Sequence, residues 1–266
     1  MLYDTHAHLG FPDFRKDLPA VIDRALAAGV SRIITIGTDG RSSRRAVELA
    51  DRHPAVFAAV GWHPCHADEA PADIRPLLRE LAGHPRVVAL GETGLDCHHL
   101  PSQRGGSAAD DQRHVEKQRQ LFAQHLELAA ECGLNCVVHQ REALDEVLEV
   151  MARFRGRVRG QFHCFVNDRI ALQRVLALGS VVSFTGILTF KNAGAVRETL
   201  AATPPEAFML ETDCPYLAPV PYRGKRAEPA HVLATATVAA QVQGLSLEAL
   251  AEATRATAHR FFPKLR

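Results

Sequence analysis

Apolar positions along the chain fall into two kinds of segment that alternate from one end to the other. Short runs rich in β-branched residues, at 2–8, 32–37, 56–61, 87–92, 135–139, 160–163, 181–184 and 208–213, read as buried strands. Between them lie longer stretches with apolar residues at helical spacing. These predict helices over 17–28, where Gly29 stops the first, and over 41–52, 72–82, 112–132, 142–154, 169–178 and 193–201, with a closing helix over 246–260. Eight strands alternating with helices fit an α/β fold, a single (β/α)8 TIM barrel occupying residues 1–266. A doubly wound open sheet competes with that reading, but it usually places a glycine-rich nucleotide loop after its first strand. Here His6-Ala7-His8 stands at that position. No linker divides the chain, and no tandem repeat shows beyond the strand–helix alternation.

Composition narrows the classes further. The 266 residues are 47% apolar and 23% charged, which excludes a disordered, collagenous or coiled-coil protein. No stretch approaches the roughly 20 apolar residues that span a bilayer, and the start, Met1 to His6, lacks the basic and apolar regions of a signal peptide. A cytoplasmic protein without membrane contact is the expectation. The 31 basic against 30 acidic residues give a net charge of +1, so any phosphate binding must be local. The six cysteines (Cys65, Cys97, Cys132, Cys136, Cys164 and Cys214) form no CxxC pair and read as buried free thiols. Histidine stands out, with 14 residues against an aromatic content of 6%, and points toward metal chemistry.

The strand ends carry that chemistry. The first predicted strand ends in His6-x-His8, the fourth in Glu92, the fifth in His139, the sixth in His163 and the eighth in Asp213. All are metal-competent, and all fall at the carboxyl ends of strands, the barrel face where active sites form. His6 and His8 are two apart and point to one side of a strand. Two histidines on one strand face are by themselves often only satisfied polar groups; five separate strand ends delivering ligands are not. Alternation then turns Cys164 and Cys214 outward as buried filler, and places Asp4 and Glu211 inside the barrel, one layer below the ligands. Those carboxylates either support ligating imidazoles or form a structural ion pair. Six ligands suit two divalent ions: His6, His8 and Asp213 on one, His139 and His163 on the other, Glu92 bridging. Mixed imidazole and carboxylate ligation fits Zn, Mn, Fe or Ni, whereas Mg prefers more oxygen.

His6-Ala7-His8, Gly91-Glu92-Thr93-Gly94-Leu95-Asp96, Val138-His139, His163-Cys164-Phe165 and the run from Leu210 to Pro219 resemble the TatD family of metal-dependent hydrolases. Gly61-Trp62-His63-Pro64, Ser183-Phe184-Thr185-Gly186 and Arg223-Gly224-Lys225 match it too, so the resemblance runs in order from residue 3 to about 262. It implies a divalent-metal deoxyribonuclease of 3′-to-5′ exonuclease type on an amidohydrolase barrel, with DNA or short nucleic acid as partner and no obligate protein partner. It implies two divalent ions, Mg or Mn in activity, with Zn, Fe or Ni able to occupy the site. The six ligands carry over as named, with Glu92 and Asp213 as catalytic residues, Asp213 also taking the proton from water. His63 becomes a substrate-phosphate contact.

Three positions depart from the family pattern: Gln140-Arg141 where Ser is usual after the strand-5 His, Val166-Asn167 in place of Ser-Gly, and Ala227 in place of Asn. None removes a ligand. Arg223, Lys225 and Arg226 could clamp phosphate, whereas Arg153, Arg155, Arg157 and Arg159 precede strand 6 at the opposite end and read as solvated surface. Trp62 reads either as a base-stacking residue or as packing. The segment 97–111, with its Gly-Gly pair and small polar residues, reads as a mobile loop on the catalytic rim, either a lid bearing His98, His99 and Arg104 or a plain insertion. Hydrolysis of an amide, ester or small phosphoester on the same site, and metal binding without catalysis, are the competing functions.

Overall fold

The computed structural model describes residues 1–265. Eight parallel strands follow one another around one sheet: β1 (Leu2–Ala7), β2 (Val30–Ile36), β3 (Val56–Val60), β4 (Val87–Asp96), β5 (Asn135–Arg141), β6 (Gly160–Phe162), β7 (Val181–Phe184) and β8 (Phe208–Leu210). The main chain closes the ring where β8 returns to β1. His8 N–H donates to Cys214 O at 2.8 Å, and Asp213 N–H donates to His6 O at 2.9 Å. Helices α1 (Leu18–Ala27), α2 (Gly40–Arg52), α3 (Arg75–Ala82), α4 (Ala108–Cys132), α5 (Leu144–Ala152), α6 (Arg169–Ala177) and α7 (Gly194–Ala201) connect successive strands, and α8 (Val232–Gln243) and α9 (Leu247–Phe261) complete the outer layer. This is the predicted (β/α)8 barrel. No helix among the described residues is long and apolar enough to cross a membrane.

The barrel interior is stratified. At its amino-terminal end Ile34, Phe57, Val137, Val181 and Met209 pack with Phe261 and Phe262, so the end of α9 plugs the floor. Above lies a polar layer: Gln161 Nε2 donates to Thr5 Oγ1 at 3.0 Å, Ser183 Oγ at 3.0 Å and Glu211 Oε2 at 3.1 Å, while Ser183 donates to Glu211 at 2.6 Å. Buried polar groups must be paired to avoid a desolvation cost, and this layer pairs them with one another, Gln161 Oε1 excepted. The second, larger apolar shell lies between strands and helices.

Several elements differ from their sequence pattern: β8 stops at Leu210, three residues short of its predicted end, and β4, α4 and α8 depart further. β4 runs on to Asp96, four residues past its predicted end, because Gly91 and Gly94 interrupt the apolar run without ending the strand. Both glycines have φ above +100°, and a Cβ at Gly94 would sit 2.0 Å from His139 O, so no side chain fits where β4 passes β5. α4 begins at Ala108, four residues early, on a reciprocal Ser107–Asp110 capping box. The 97–111 segment is therefore shorter than expected and has structure of its own. Its 3₁₀ turn, Pro101–Arg104, is pinned by Ser102 N–H on Asp111 Oδ1 at 2.8 Å. Helix α8 has no counterpart in the predicted pattern.

Candidate metal centre

Glu92 stands at the focus of the carboxyl-terminal face. One carboxylate oxygen, Oε1, lies 2.8 Å from His163 Nε2, 3.1 Å from His139 Nδ1 and 3.3 Å from His63 Nε2. The other, Oε2, lies 3.3 Å from His6 Nε2 and 3.8 Å from His8 Nε2. Asp213 Oδ1 completes the cluster, 3.2 Å from His8 Nε2 and 3.5 Å from His6 Nε2. All six residues proposed from the sequence as ligands are thus brought together, with Glu92 between the His6–His8–Asp213 side and the His139–His163 side. Among the described residues the ion-pair partners of Glu92 are all histidines. Imidazole nitrogens converging on carboxylates without a lysine or arginine among them form a donor set suited to divalent cations.

Backbone geometry explains the convergence. The register of β1 slips between Asp4 and Ala7, so Thr5 faces the interior polar layer and yet His6 and His8 also face inward. Asp4 is consequently not below the ligands as expected. Its carboxylate instead accepts from Thr212 N–H at 2.9 Å and Thr212 Oγ1 at 2.6 Å, holding the segment after β8 against β1. Burial, opposed by these hydrogen bonds, pushes the Asp4 carboxyl up to about 8. Asp213 follows with φ of +56°, a left-handed conformation that a non-glycine residue adopts only under external constraint. The bond from its N–H to His6 O is part of that constraint.

Glu211 lies beneath His163, where the sequence places it: it is fully buried, accepts from Cys164 N–H at 2.7 Å, and its Oε1 stands 3.6 Å from His163 Nδ1, an ion-pair rather than a hydrogen-bond distance. Cys164, however, does not continue the strand alternation into the helix layer. β6 ends at Phe162, and Cys164 takes φ of +47°, with Sγ 3.8 Å from Thr185 Oγ1. Burial raises its thiol, and the neighbouring Asp213 and Glu211 carboxylates add to that. Cys214 is buried filler as expected. All six cysteines are free, but only Cys136 and Cys214 are buried; Cys97, Cys132 and Cys164 are half-buried and Cys65 is exposed, against expectation.

Charge is balanced within the cluster. Burial disfavours the Glu92 carboxylate, yet His163, His63 and His6 outweigh it and hold the group well below its ordinary range. Burial works against protonated His163, and Glu92 and Glu211 reverse that, raising it well above its ordinary value. His63 differs: burial prevails and lowers it to about 4, so its ring is neutral near pH 7. Its Nδ1 accepts Cys65 N–H at 3.1 Å, which leaves the ring proton on Nε2, facing the cavity. That makes His63 a hydrogen-bond donor to whatever the cavity holds. His139 has the opposite arrangement. Its Nε2 donates to Asp96 Oδ2 at 3.2 Å, so the Nδ1 lone pair faces Glu92 and His163.

Asp96 is the residue the sequence reading passed over. It is 1% exposed, and its Oδ1 accepts the N–H groups of His98 and His99 at 3.0 and 2.8 Å. The signal was present, because Glu92 and Asp96 share one face of a strand that continues through both. Of the basic residues, Arg223 stacks on Phe190, its guanidinium carbon 3.9 Å from the ring centroid, and donates to Ala218 O. Arg226 is occupied by a two-pronged pair with Asp17 at 2.7 and 2.9 Å, which corrects its reading as a phosphate clamp. Neither Arg223 nor Lys225 lines the 520 Å3 cavity above Glu92. Trp62 is packing: it is 9% exposed, and its indole N–H donates to His66 O at 3.1 Å. Two of the departures from the family pattern meet, since Gln140 Nε2 donates to Asn167 Oδ1 at 2.5 Å.

A parallel barrel with histidines and carboxylates gathered at its carboxyl-terminal rim fits the class of metal-dependent hydrolases. The model of TatD related DNases matches residues 3–263. A Bacillus subtilis protein named as an uncharacterized metal-dependent hydrolase, YabD, is 35% identical over 263 residues, covering 98% of this chain and 99% of that protein. The 3′-5′ ssDNA/RNA exonuclease TatD of Erwinia billingiae is 33% identical over 268 residues, covering 98% of each chain. Among solved structures, the TatD homologue YjjV of Escherichia coli K12 superimposes with a TM-score of 0.88 at 26% identity, over 98% of both chains. The chain belongs to the TatD family, and it is a metal-dependent hydrolase of that deoxyribonuclease type.

Proposed function

We propose that this hydrolase cleaves phosphodiester bonds at the 3′ ends of single-stranded nucleic acid, DNA foremost, with two divalent ions as cofactors. One observation carries the reading. The cavity above Glu92 shares Phe11, Thr38 and His66 with a neighbouring groove of 1160 Å3, whose lining has five arginines (Arg15, Arg41, Arg44, Arg45 and Arg52) against the two carboxylates of Asp39 and Glu48. A polyanionic strand leaving the site needs such a basic path, whereas a small ester does not. The exonuclease name of the Erwinia billingiae relative points the same way.

His6, His8 and Asp213 would hold one ion and His139 and His163 the other, with Glu92 bridging. Ions so held would supply Lewis acidity to the phosphoryl group and would lower the pKa of water toward about 7. The chain's own groups then divide the work. Asp213 accepts the proton of the attacking water, and its carboxyl, which His8 and His6 hold below the ordinary range despite burial, is ionised to do so. His63 donates its Nε2–H to a phosphate oxygen. Tyr216, 55% exposed and 6.3 Å from the Phe11 ring, offers a face on which the terminal base stacks. Arg223 and Lys225, outside the central cavity, meet a phosphate beyond the reacting one.

The test uses 3′-labelled single-stranded DNA, duplex DNA, RNA and small esters, each with Mg2+, Mn2+ or chelator. Stepwise metal-dependent loss from the single strand is expected to exceed loss from duplex. Turnover of amide, ester or small phosphoester substrates with no loss of nucleic acid would overturn the proposal.

A further inference from the structure

Beside the centre just described, a second group of metal-competent side chains meets around one carboxylate oxygen. Asp96 Oδ2, at the end of β4, accepts from His99 Nδ1 at 2.9 Å and faces the Cys65 thiol with Sγ at 3.7 Å. Cys65 comes from the turn after β3 and His99 from the turn after β4, so two separate loops deliver them. The thiol sulfur, imidazole nitrogen and carboxylate oxygen all lie within 4.8 Å of one another. In a tetrahedral site with bonds of about 2.0–2.3 Å, ligand atoms stand roughly 3.3–3.8 Å apart, so small side-chain shifts suffice. Three donors that carry exchangeable protons, counting His139 Nε2–H, crowd this one oxygen. A divalent cation would take the place of the Cys65 and His99 protons.

We infer that Cys65, Asp96 and His99 form a third metal site, distinct from the Glu92 centre and selective for a soft divalent ion such as Zn2+. Sulfur ligation sets its selectivity, since a thiolate disfavours Mg2+ and Mn2+ and favours zinc. Three protein ligands leave one coordination position open. All three residues line the cavity that also holds Glu92, so that position opens onto the substrate side. Asp96 would then serve both centres, one oxygen on the soft ion and, through His139, contact with the other.

Cobalt reports the site directly, because thiolate-bound Co2+ has a near-ultraviolet charge-transfer band that nitrogen and oxygen ligands lack. Metal-free full-length protein, Cys65→Ser, His99→Ala and the control Cys97→Ser are titrated with Co2+, with bound metal measured in parallel. The unmodified protein and Cys97→Ser are expected to show the band; Cys65→Ser should lose it and bind one equivalent fewer. Losing even a supporting contact lowers metal affinity about 10–100-fold, so His99→Ala should weaken the band-forming step by at least about that much. A second measurement needs no substitution: alkylation of exposed Cys65, followed by peptide mapping, should slow at least about tenfold when Zn2+ is added. No thiolate band at saturating cobalt, a band that survives Cys65→Ser, or alkylation indifferent to zinc each overturns the inference.

Discussion

Nε2 of His139 lies 3.2 Å from Asp96 Oδ2, while Nδ1 of the same ring lies 3.1 Å from Glu92 Oε1. The imidazole is held between a carboxylate that fixes its proton and one that shares its lone pair's target. Fixing the tautomer and ring plane in this way raises the basicity of the nitrogen offered to a cation. Asp96→Asn keeps the shape but can place an N–H against the ring. We expect metal affinity to fall about 10–100-fold, with little change in the circular dichroism spectrum, as read by metal content after dialysis against graded chelator. Unaltered affinity would remove Asp96 from any role in orienting His139.

Glu92 is 2% exposed and bordered by five imidazoles. Glu92→Ala removes the proposed bridge and leaves any cations undercompensated. Hydrolysis should be abolished and metal occupancy should drop well below that of the unmodified protein, while the barrel stays folded. The companion substitution Asp213→Asn keeps the shape and removes the proton acceptor. Its rate should fall about 10²–10⁴-fold, the usual contribution of a positioned acid–base group. Metal content measured alongside separates lost ligation from lost proton transfer.

The barrel was legible in the chain because most strands are short, largely apolar runs buried on both faces, and because eight helices, α1–α7 and α9, show a one-sided stripe. Helix α8 was not, since Val232–Gln243 carries Ala, Thr and Val on every side and shows no polar face to set a period. The convergence of the six proposed ligands was readable from the predicted strand ends, although His8, His163 and Asp213 lie just past the ends of β1, β6 and β8. Asp4 and Cys164 defeated the same logic: the first precedes a register slip in β1, and the second lies past a strand of only three residues. Asp96 escaped notice because two glycines made β4 look finished at Glu92. Parity is a reliable guide only within an unbroken strand, and both ends of this barrel's site lie where strands bulge or stop.

Arg226 ties the segment after β8 to the start of α1, pairing with Asp17 and with Glu228, which also pairs with Arg24. Hydrogen bonding from Arg226 holds the Asp17 carboxyl down at about 2. A carboxylate depressed on folding adds stability above its unfolded pKa of about 3.9, and that contribution is lost as pH falls toward the folded value. The melting temperature of Asp17→Asn should therefore lie slightly below that of the unmodified protein at pH 6, by a margin reduced by added salt. The two curves should converge near pH 2. A difference that persists or grows in acid would show that the ion pair is not its source.

Ser107 offers a test between the two readings of the rim segment. Its hydroxyl and the Asp110 carboxylate cap the first turn of α4 reciprocally, and the turn before it is fastened to Asp111. A lid must open, whereas this segment spends its polar groups on closing a helix end. Ser107→Ala removes one side of the box and should cost about 0.5–2 kcal/mol, less if only the first turn frays. Melting temperature should fall by a few degrees. Turnover and KM on single-stranded DNA should match the unmodified enzyme, because His99 and His98 are anchored separately, through their N–H groups on Asp96 Oδ1. A change in KM at unchanged stability would instead restore the lid, with the helix start as its hinge.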